Sequence, residues 1–161
     1  MEQRNVADLF ERHHLPLFRY VYRHTRARDV AEDIVQEVFL RVMRSRDTYD
    51  ERLREIAWLF TIARRLMIDR HRTLSRHPTE PLAQSEPCAE QSPETSLLLD
   101  EALAAVHEPD REAFLLKEIG GLTYEEIGTV CGITVDSVRS RIYRARMRLR
   151  EWLSAPARIV R

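Results

Sequence analysis

Apolar residues recur at helical spacing along most of the chain, and no stretch shows the strict alternation that is typical of a β-strand. The pattern predicts helices over about residues 5–24, 29–45, 54–74, 97–106 and 109–119, and two more within 122–149. Pro16 lies inside the first segment and is expected to kink or break it. The chain has only four glycines, which also favours helices. We therefore predict an all-α fold.

Two N-terminal segments carry a clear core stripe together with a polar side. On the second helix the predicted stripe consists of Ala31, Ile34, Val35, Val38 and Val42. On the third it consists of Ile56, Leu59, Phe60, Ala63, Leu66 and Met67. Each stripe predicts that one face of its helix is buried in a core.

The polar sides of the same two helices differ in character. The second helix shows a mixed acidic and apolar face around Asp33, Gln36 and Glu37, which in an isolated helix is more often simply solvated. The third interleaves arginines with hydrogen-bonding groups and Trp58, a combination suited to single-stranded nucleic acid, where bases stack and phosphates are neutralised. A lone tryptophan near a helix start is, alternatively, more often a core residue.

The segment 122–149 has the features of a helix-turn-helix. Thr123 and Glu126 form a Thr-x-x-Glu capping box that starts one helix, and Gly132 suits the turn because glycine tolerates positive φ. Thr134 can cap the second helix, with Asp136 in its first turn. The apolar stripe of the second helix consists of Val138, Ile142, Ala145 and Leu149.

Arginine dominates the polar side of that second helix. No acidic residue lies among the six arginines, which are Arg139, Arg141, Arg144, Arg146, Arg148 and Arg150. Because a solvated face usually mixes charges to form i,i+4 pairs, this pattern predicts unpartnered cations and hence an anionic partner. A basic helix in this setting suits the major groove of DNA. The alternative is a surface-charged helix hairpin without a nucleic-acid partner.

Charge and proline divide the chain into two domains. The net charge of the chain is zero, but the charges are unevenly distributed. Residues 1–76 contain 16 basic and 12 acidic residues, a net charge of +4, and residues 111–161 contain 10 basic and 6 acidic residues, also +4. Residues 77–110 contain eight acidic residues and no basic residue, a net charge of −8. Prolines recur between 78 and 93, where large apolar residues are scarce. We predict small helical domains at 1–75 and 97–154, joined by a flexible acidic linker at 76–96.

Several classes of site and location are excluded or disfavoured by composition. Cys88 and Cys131 form no Cys-x-x-Cys motif, and the six histidines show no metal-ligand spacing, so we expect free thiols and no metal or cofactor. The N-terminus lacks an apolar signal core and no apolar run approaches membrane length. A cytoplasmic protein without membrane insertion is expected.

Three segments of the chain carry a family resemblance. AEDIVQEVFLRVM, AWLFTIARRLMIDRHR and LTYEEIGTVCGITVDSVRSRIYRARMRLR, in this order and split by an acidic linker, resemble the conserved segments of extracytoplasmic-function (ECF) sigma factors of the bacterial sigma-70 family. The resemblance implies a region 2-like domain, a region 4-like helix-turn-helix domain, and a promoter-specificity subunit of RNA polymerase that is not itself an enzyme and has no catalytic residues.

The resemblance also assigns roles to residues. Core-polymerase binding, on the β′ clamp helices, falls to Asp33, Gln36, Glu37, Phe39 and Leu40. Contacts with the opened −10 element fall to Trp58, Arg64, Arg65, Asp69 and Arg72, with the 45–53 loop; the family often has Asn at the position of Arg65. Contacts with the −35 element fall to Ser137, Arg139, Ser140, Arg141, Arg144, Arg146 and Arg148. Of these, Arg139, Ser140 and Arg144 are expected to face bases, and the others to contact phosphates or act as solvated supports.

The implied partners are core RNA polymerase, through its β′ clamp helices and β flap, promoter DNA and an anti-sigma factor. Two other classes compete with this interpretation. A dimeric helix-turn-helix repressor would need an effector or phosphoacceptor domain upstream, for which residues 1–76 show no pattern. A nucleic-acid enzyme would need a carboxylate cluster, but Asp33 and Glu37 have no third ligand placed to join them.

Overall fold

The computed structural model describes residues 5–44, 53–76 and 93–155, and these residues are helical apart from short turns and caps. Seven α-helices and no β-strand occur in them, which confirms the all-α prediction. The chain divides into two compact units, residues 1–84 and 85–161. The predicted linker at 76–96 and the predicted 45–53 loop fall mainly outside the described residues, so their boundaries stay predictions.

The first unit is a three-helix bundle in which every helix packs on the other two. The helices are α1 (Val6–Thr25), α2 (Arg28–Arg44) and α3 (Glu55–Arg76). Tyr20 and Phe60 meet at its centre with ring centroids 5.0 Å apart. The predicted α2 stripe is buried throughout, whereas on α3 only Leu59, Phe60 and Ala63 of the predicted stripe are fully buried. The core is therefore concentrated toward the N-terminal half of α3.

α1 continues through Pro16, so of the two predicted outcomes the break does not occur, and the kink stays a prediction. Proline in a helix interior removes one hydrogen bond and costs roughly 3 kcal/mol. Leu9 and Leu17 on either side of it are buried, and burial of one leucine side chain contributes about 1.5–3 kcal/mol. Packing of the flanking turns against the bundle therefore offsets the local cost, which sequence propensity alone does not show.

The second unit contains α4 (Pro93–Ala104), α5 (Glu108–Glu118), α6 (Tyr124–Cys131) and α7 (Val135–Ser154). α7 packs against the other three helices and supplies the buried residues Val138, Ile142, Ala145 and Trp152. The predicted stripe of α7 is thus confirmed except at Leu149, which is half-buried. Because these residues occupy one side of α7, its remaining surface is free to face solvent or a partner.

Candidate DNA and protein interfaces

Local hydrogen bonds define the start of α6 and the start of α7, as the sequence predicted. The backbone N–H of Glu126 donates to Thr123 Oγ1 at 3.1 Å, and the N–H of Thr123 donates to Glu126 Oε1 at 3.0 Å, so the capping box is confirmed. Gly132 ends α6 with a φ of 69°, and Thr134 caps α7 by accepting from the Ser137 N–H at 3.1 Å. These bonds satisfy helix-end donors and fix where each helix begins, while packing between α6 and α7 holds the two together.

Gly128 is a structural requirement of this motif that the sequence analysis missed. The N–H of Ile133 donates to the Gly128 carbonyl at 2.9 Å, which brings the turn close to α6. A Cβ at Gly128 would lie 2.8 Å from the carbonyl oxygen of Ile133 and 3.8 Å from Val138 Cγ2. A glycine four residues before the turn glycine, inside a short amphipathic helix, was the available signal.

The outer face of α7 begins one turn after its cap. Arg139, Ser140, Tyr143 and Arg144 are all exposed there, and Arg139 and Tyr143 are neighbours at i,i+4. Tyr143 is 65% exposed, although aromatic side chains are usually buried, and the sequence analysis overlooked it. Its position four residues after Arg139, off the Val138–Ile142 stripe, was the signal that could have identified it. The face combines two cations, a hydroxyl and an aromatic ring.

The prediction that the α7 arginines lack partners is wrong for four of them. Arg144 makes two parallel bonds to Asp110 on α5, from Nε to Oδ2 at 3.1 Å and from Nη2 to Oδ1 at 3.0 Å. The hydrogen bond to this carboxylate raises the pKa of Arg144 above its ordinary value. Arg139 makes a weaker contact to Asp136 within α7, at 3.4 Å.

The two predicted phosphate contacts farther along α7 also have partners. Arg146 Nη2 lies 3.2 Å from Glu118 Oε1, and Arg148 Nε donates to the Ala105 carbonyl at 3.1 Å. Arg148 also reaches Glu151 at 3.3 Å. Arg148 therefore supports the α4–α5 turn, which was one of the two roles that the sequence analysis left open. All of these pairs are exposed, so water and salt screen them.

The remaining α7 candidates are Ser137 and Arg141. The Thr134 hydroxyl donates to Ser137 Oγ at 3.0 Å, which leaves the Ser137 hydroxyl proton available to donate to an anion. Arg141 is half-buried beside the core stripe. Ser137 lies in the first turn of α7, where the helix dipole favours negative charge.

The proposed polymerase-facing surface on α2 has an apolar part that the sequence only partly indicated. Asp33, Gln36 and Leu40 are exposed, and Glu37 is paired with Arg41 at 3.1 Å. Leu40 is 42% exposed, and Met43 at i+3 is more exposed still. Exposed leucine and methionine at helical neighbours, flanked by carboxylates, form an amphipathic strip that is suited to a protein partner.

Phe39 does not lie on the exposed part of that surface. It is 6% exposed, and its ring meets Phe10 of α1 edge-on with centroids 5.0 Å apart. A side chain this deeply packed supports the α2 surface from within and makes little direct contact with a partner. The sequence placed Phe39 beside Leu40 along the chain, but neighbouring residues on a helix do not share a face.

The candidate −10 residues on α3 divide in the same way. Arg65, Asp69 and Arg72 are exposed and follow i, i+4 and i+7 spacing, so they share one face of the helix. Arg64 is half-buried. Trp58 is 7% exposed and belongs to the core, which is the alternative that a lone tryptophan near a helix start had left open. The exposed face of α3 is therefore charged, and the buried Trp58 ring does not lie on it for bases to stack against.

The described residues contain no cluster of three or more His, Cys, Asp or Glu side chains that could hold a metal ion. Within the same residues, no helix has the length and apolarity needed to span a bilayer. Cys131 lies half-buried at the end of α6, and Cys88 lies outside the described ranges.

Two family models match the chain, each over one of its helical units. The model described as Sigma-70 region 2 matches residues 9–77, and the model described as Sigma-70, region 4 matches residues 96–149. The first contains all three helices of the N-terminal bundle except the first residues of α1, and the second contains α5, α6 and most of α4 and α7.

Relatives matched over most of their length show the same similarity. The RNA polymerase sigma factor CarQ of Myxococcus xanthus is 37% identical over 152 residues, covering 91% of this chain and 87% of CarQ. The ferric citrate uptake sigma factor FecI of Escherichia coli K12 is 36% identical over 147 residues, covering 86% and 84%. The solved sigma factor RpoE of Bartonella quintana, bound to the anti-sigma factor NepR, matches with a TM-score of 0.69 and 28% identity over 87% of this chain and 91% of RpoE.

Proposed function

The chain belongs to the ECF group of the sigma-70 family, and from that premise we propose which of its surfaces carry out each step of promoter recognition. As an RNA polymerase sigma factor, it directs core polymerase to promoters and acts in transcription initiation. The observation that supports the assignment best is the outer face of α7, where exposed Arg139, Ser140, Tyr143 and Arg144 lie on a helix-turn-helix.

We assign recognition of the −35 element to this face. A second helix of a helix-turn-helix lies in the major groove with its N-terminal residues on base edges, and all four residues lie in the first half of α7. Arginine forked onto guanine O6 and N7 contributes about 1–3 kcal/mol of discrimination. Arg139 is the first candidate for this contact, because within the described residues it makes only a weak, exposed contact to Asp136.

We assign docking on core polymerase to the α2 strip. Leu40 and Met43 supply apolar area, while Asp33, Gln36 and Glu37 supply the polar rim. Protein interfaces commonly have this arrangement of an apolar centre and a polar rim. Phe39 and Phe10 hold the strip in place from below.

We assign the opened −10 strand to the exposed face of α3. Arg65 and Arg72 can neutralise phosphates, and Asp69 between them can accept from exposed base edges. Extruding a base costs a few kcal/mol, so these contacts must form together with polymerase docking to hold the strand open.

Linking the two units to one polymerase explains how a small chain can select a promoter. Each unit alone makes few DNA contacts, and the affinity of such contacts falls steeply with salt. Tethering both units makes the second contact effectively intramolecular. The free protein is therefore expected to bind promoters weakly, and the holoenzyme specifically.

We further propose that the protein is non-catalytic, acts in the cytoplasm with core polymerase and the chromosome, and is regulated by an anti-sigma factor. The solved relative RpoE is bound to such a partner. Exposed leucine and methionine on α2 fit a partner that competes with polymerase for the same strip.

Run-off transcription with core polymerase and a pool of genomic fragments tests the proposal. Added transcripts are expected with the wild-type chain; none, with an active core enzyme, would contradict it. Arg139→Ala should lower transcription from −35-dependent promoters by roughly 5–150-fold without loss of core binding. Arg150→Ala, an exposed arginine later on the same helix, is the matched control and should change little.

Core binding is tested separately. Leu40→Asp should abolish capture of the chain by core polymerase and leave its helical content unchanged. Leu15→Asp on α1 is the control, because Leu15 is 40% exposed and lies outside the proposed strip. Equal loss in both variants would remove the α2 assignment.

A further inference from the structure

Asp110 is an unusual residue for the second unit because it is a carboxylate that is only 6% exposed. It lies in the first turn of α5, where the helix dipole stabilises negative charge. Both of its oxygens are used by Arg144 of α7, at 3.1 and 3.0 Å. A carboxylate at such a position is normally paired, and a two-bond pair with arginine fixes the guanidinium plane as well as its position.

The geometry also defines what remains free on Arg144. Asp110 occupies Nε and one N–H of Nη2, which is one edge of the guanidinium. The adjacent edge, formed by Nη1 and the second N–H of Nη2, has no partner among the described residues. Arg144 stays 57% exposed at the side chain and lies four residues after Ser140 on the outer face of α7. The free edge is a fork of the kind that donates to guanine O6 and N7.

We infer that Asp110 is a positioning residue for base recognition by Arg144, even though it does not itself contact DNA. This inference rests on the proposed −35 function of α7. Asp110 restricts a flexible arginine to one rotamer and one plane before DNA arrives, so the guanidinium presents the same fork to every promoter. The base specificity of the α7 face therefore also depends on α5, through a residue that does not lie on the DNA-facing helix.

The pair between Arg146 and Glu118 provides an internal comparison. It also joins α7 to α5, but it consists of one contact at 3.2 Å with both side chains about half-exposed. Such a pair leaves arginine free to rotate, so Glu118 is not expected to influence base choice. Glu118→Gln is therefore the matched control for Asp110→Asn.

The test uses holoenzyme containing the full chain and a set of −35 elements that differ at single base pairs. Arg144→Ala first identifies the base pair of the −35 element at which discrimination is lost. At that base pair, Asp110→Asn should lower discrimination between bases at least about fivefold, within the range of one arginine–guanine contact. Discrimination at the other pairs, core binding and the control Glu118→Gln should stay at the wild-type level. In the double variant, Asp110→Asn should cause no further loss beyond Arg144→Ala.

Arg144→Lys serves as a second variant in case Asp110→Asn fails to fold. Lysine keeps the charge beside Asp110 but cannot form the planar two-bond pair, so overall DNA affinity should persist while discrimination falls. The inference is overturned if Asp110→Asn keeps full discrimination, or if it strengthens binding to all sequences equally, because Asp110 would then restrain Arg144 from DNA. It is also overturned if Arg144→Ala changes no base preference while Arg139→Ala does. If neither substitution changes recognition of the −35 element, the proposed function of α7 is contradicted instead.

Discussion

The close approach of α6 to its turn predicts that Gly128→Ala destabilises the second unit, although alanine is normally the better helix residue. A Cβ at position 128 would lie 2.8 Å from the Ile133 carbonyl oxygen. Moving Ile133 away would stretch the 2.9 Å bond from its N–H to the Gly128 carbonyl. Because the contacted oxygen belongs to the backbone and an alanine Cβ has no rotamer, no side-chain rotation can relieve the overlap.

Two opposing effects determine how much Gly128→Ala lowers the free energy of unfolding of the second unit. Overpacking in a well-packed site costs about 1–3 kcal/mol, and rigid backbone on both sides places this case near the upper end. Replacing glycine by alanine inside a helix recovers about 1 kcal/mol. The net loss is about 2 kcal/mol, which is a large share of the stability of a small domain. With a urea m value near 1 kcal/mol per molar, the midpoint should fall by about 2 M.

The tryptophans make the second unit measurable by itself. Trp58 lies in the first unit and Trp152 lies buried on α7, and the chain has no others. In a Trp58→Phe background, fluorescence during urea unfolding reports the second unit. Thr129→Ala, exposed on the same helix, is the control and should leave the midpoint unchanged or slightly higher. A Gly128→Ala midpoint equal to or above the wild-type value would refute the close-approach argument.

Three further outcomes test other parts of the structure. Thr134→Ala should cost about 1 kcal/mol of second-unit stability by removing the cap of α7, and Thr134→Ser should restore it in the same fluorescence assay. Phe39→Ala should cost about 3–5 kcal/mol of first-unit stability, whereas Leu40→Ala should mainly weaken core binding; the reverse result would place Phe39 on the docking surface. Burial lowers the pKa of His13 below its ordinary value of 6.5. Because the unfolded chain then binds the proton at a higher pH than the folded chain does, the stability of the first unit should fall as the pH drops below about 6.5. His13→Gln should flatten this decline, and an unchanged pH profile would contradict it.

Features that depend on neighbouring residues were predictable from the sequence. The capping box at Thr123, the turn at Gly132 and the cap at Thr134 each need only a few adjacent positions, and all three are confirmed. The core stripes of α2 and α7 follow from helical periodicity in the same way. The break expected at Pro16 does not occur, because packing of α1 against two other helices outweighs the local cost of the proline.

The candidate site was less predictable because its contacts join distant parts of the chain. The absence of acids between Arg139 and Arg150 indicated unpartnered cations, but the acceptors for Arg144 and Arg146 lie 34 and 28 residues earlier, on α5. No spacing rule within one helix can reveal them. Burial of Phe39 and Trp58 likewise depends on which turn of each helix faces the bundle, and a hydrophobic pattern narrows this choice without fixing it.

These pairs also separate arginines that look alike in the sequence. Arg146 shares an exposed, single contact with Glu118, which a DNA phosphate can replace at little cost because water already solvates both groups. Arg144 cannot leave Asp110 in the same way, because departure would strand a buried carboxylate without its two donors. If α7 recognises the −35 element as we propose, DNA must accept Arg144 in the orientation that α5 imposes, whereas it can reorient Arg146. On this proposal the number of arginines on α7 sets the charge of the helix, and their partners on α5 determine which of them discriminate between bases.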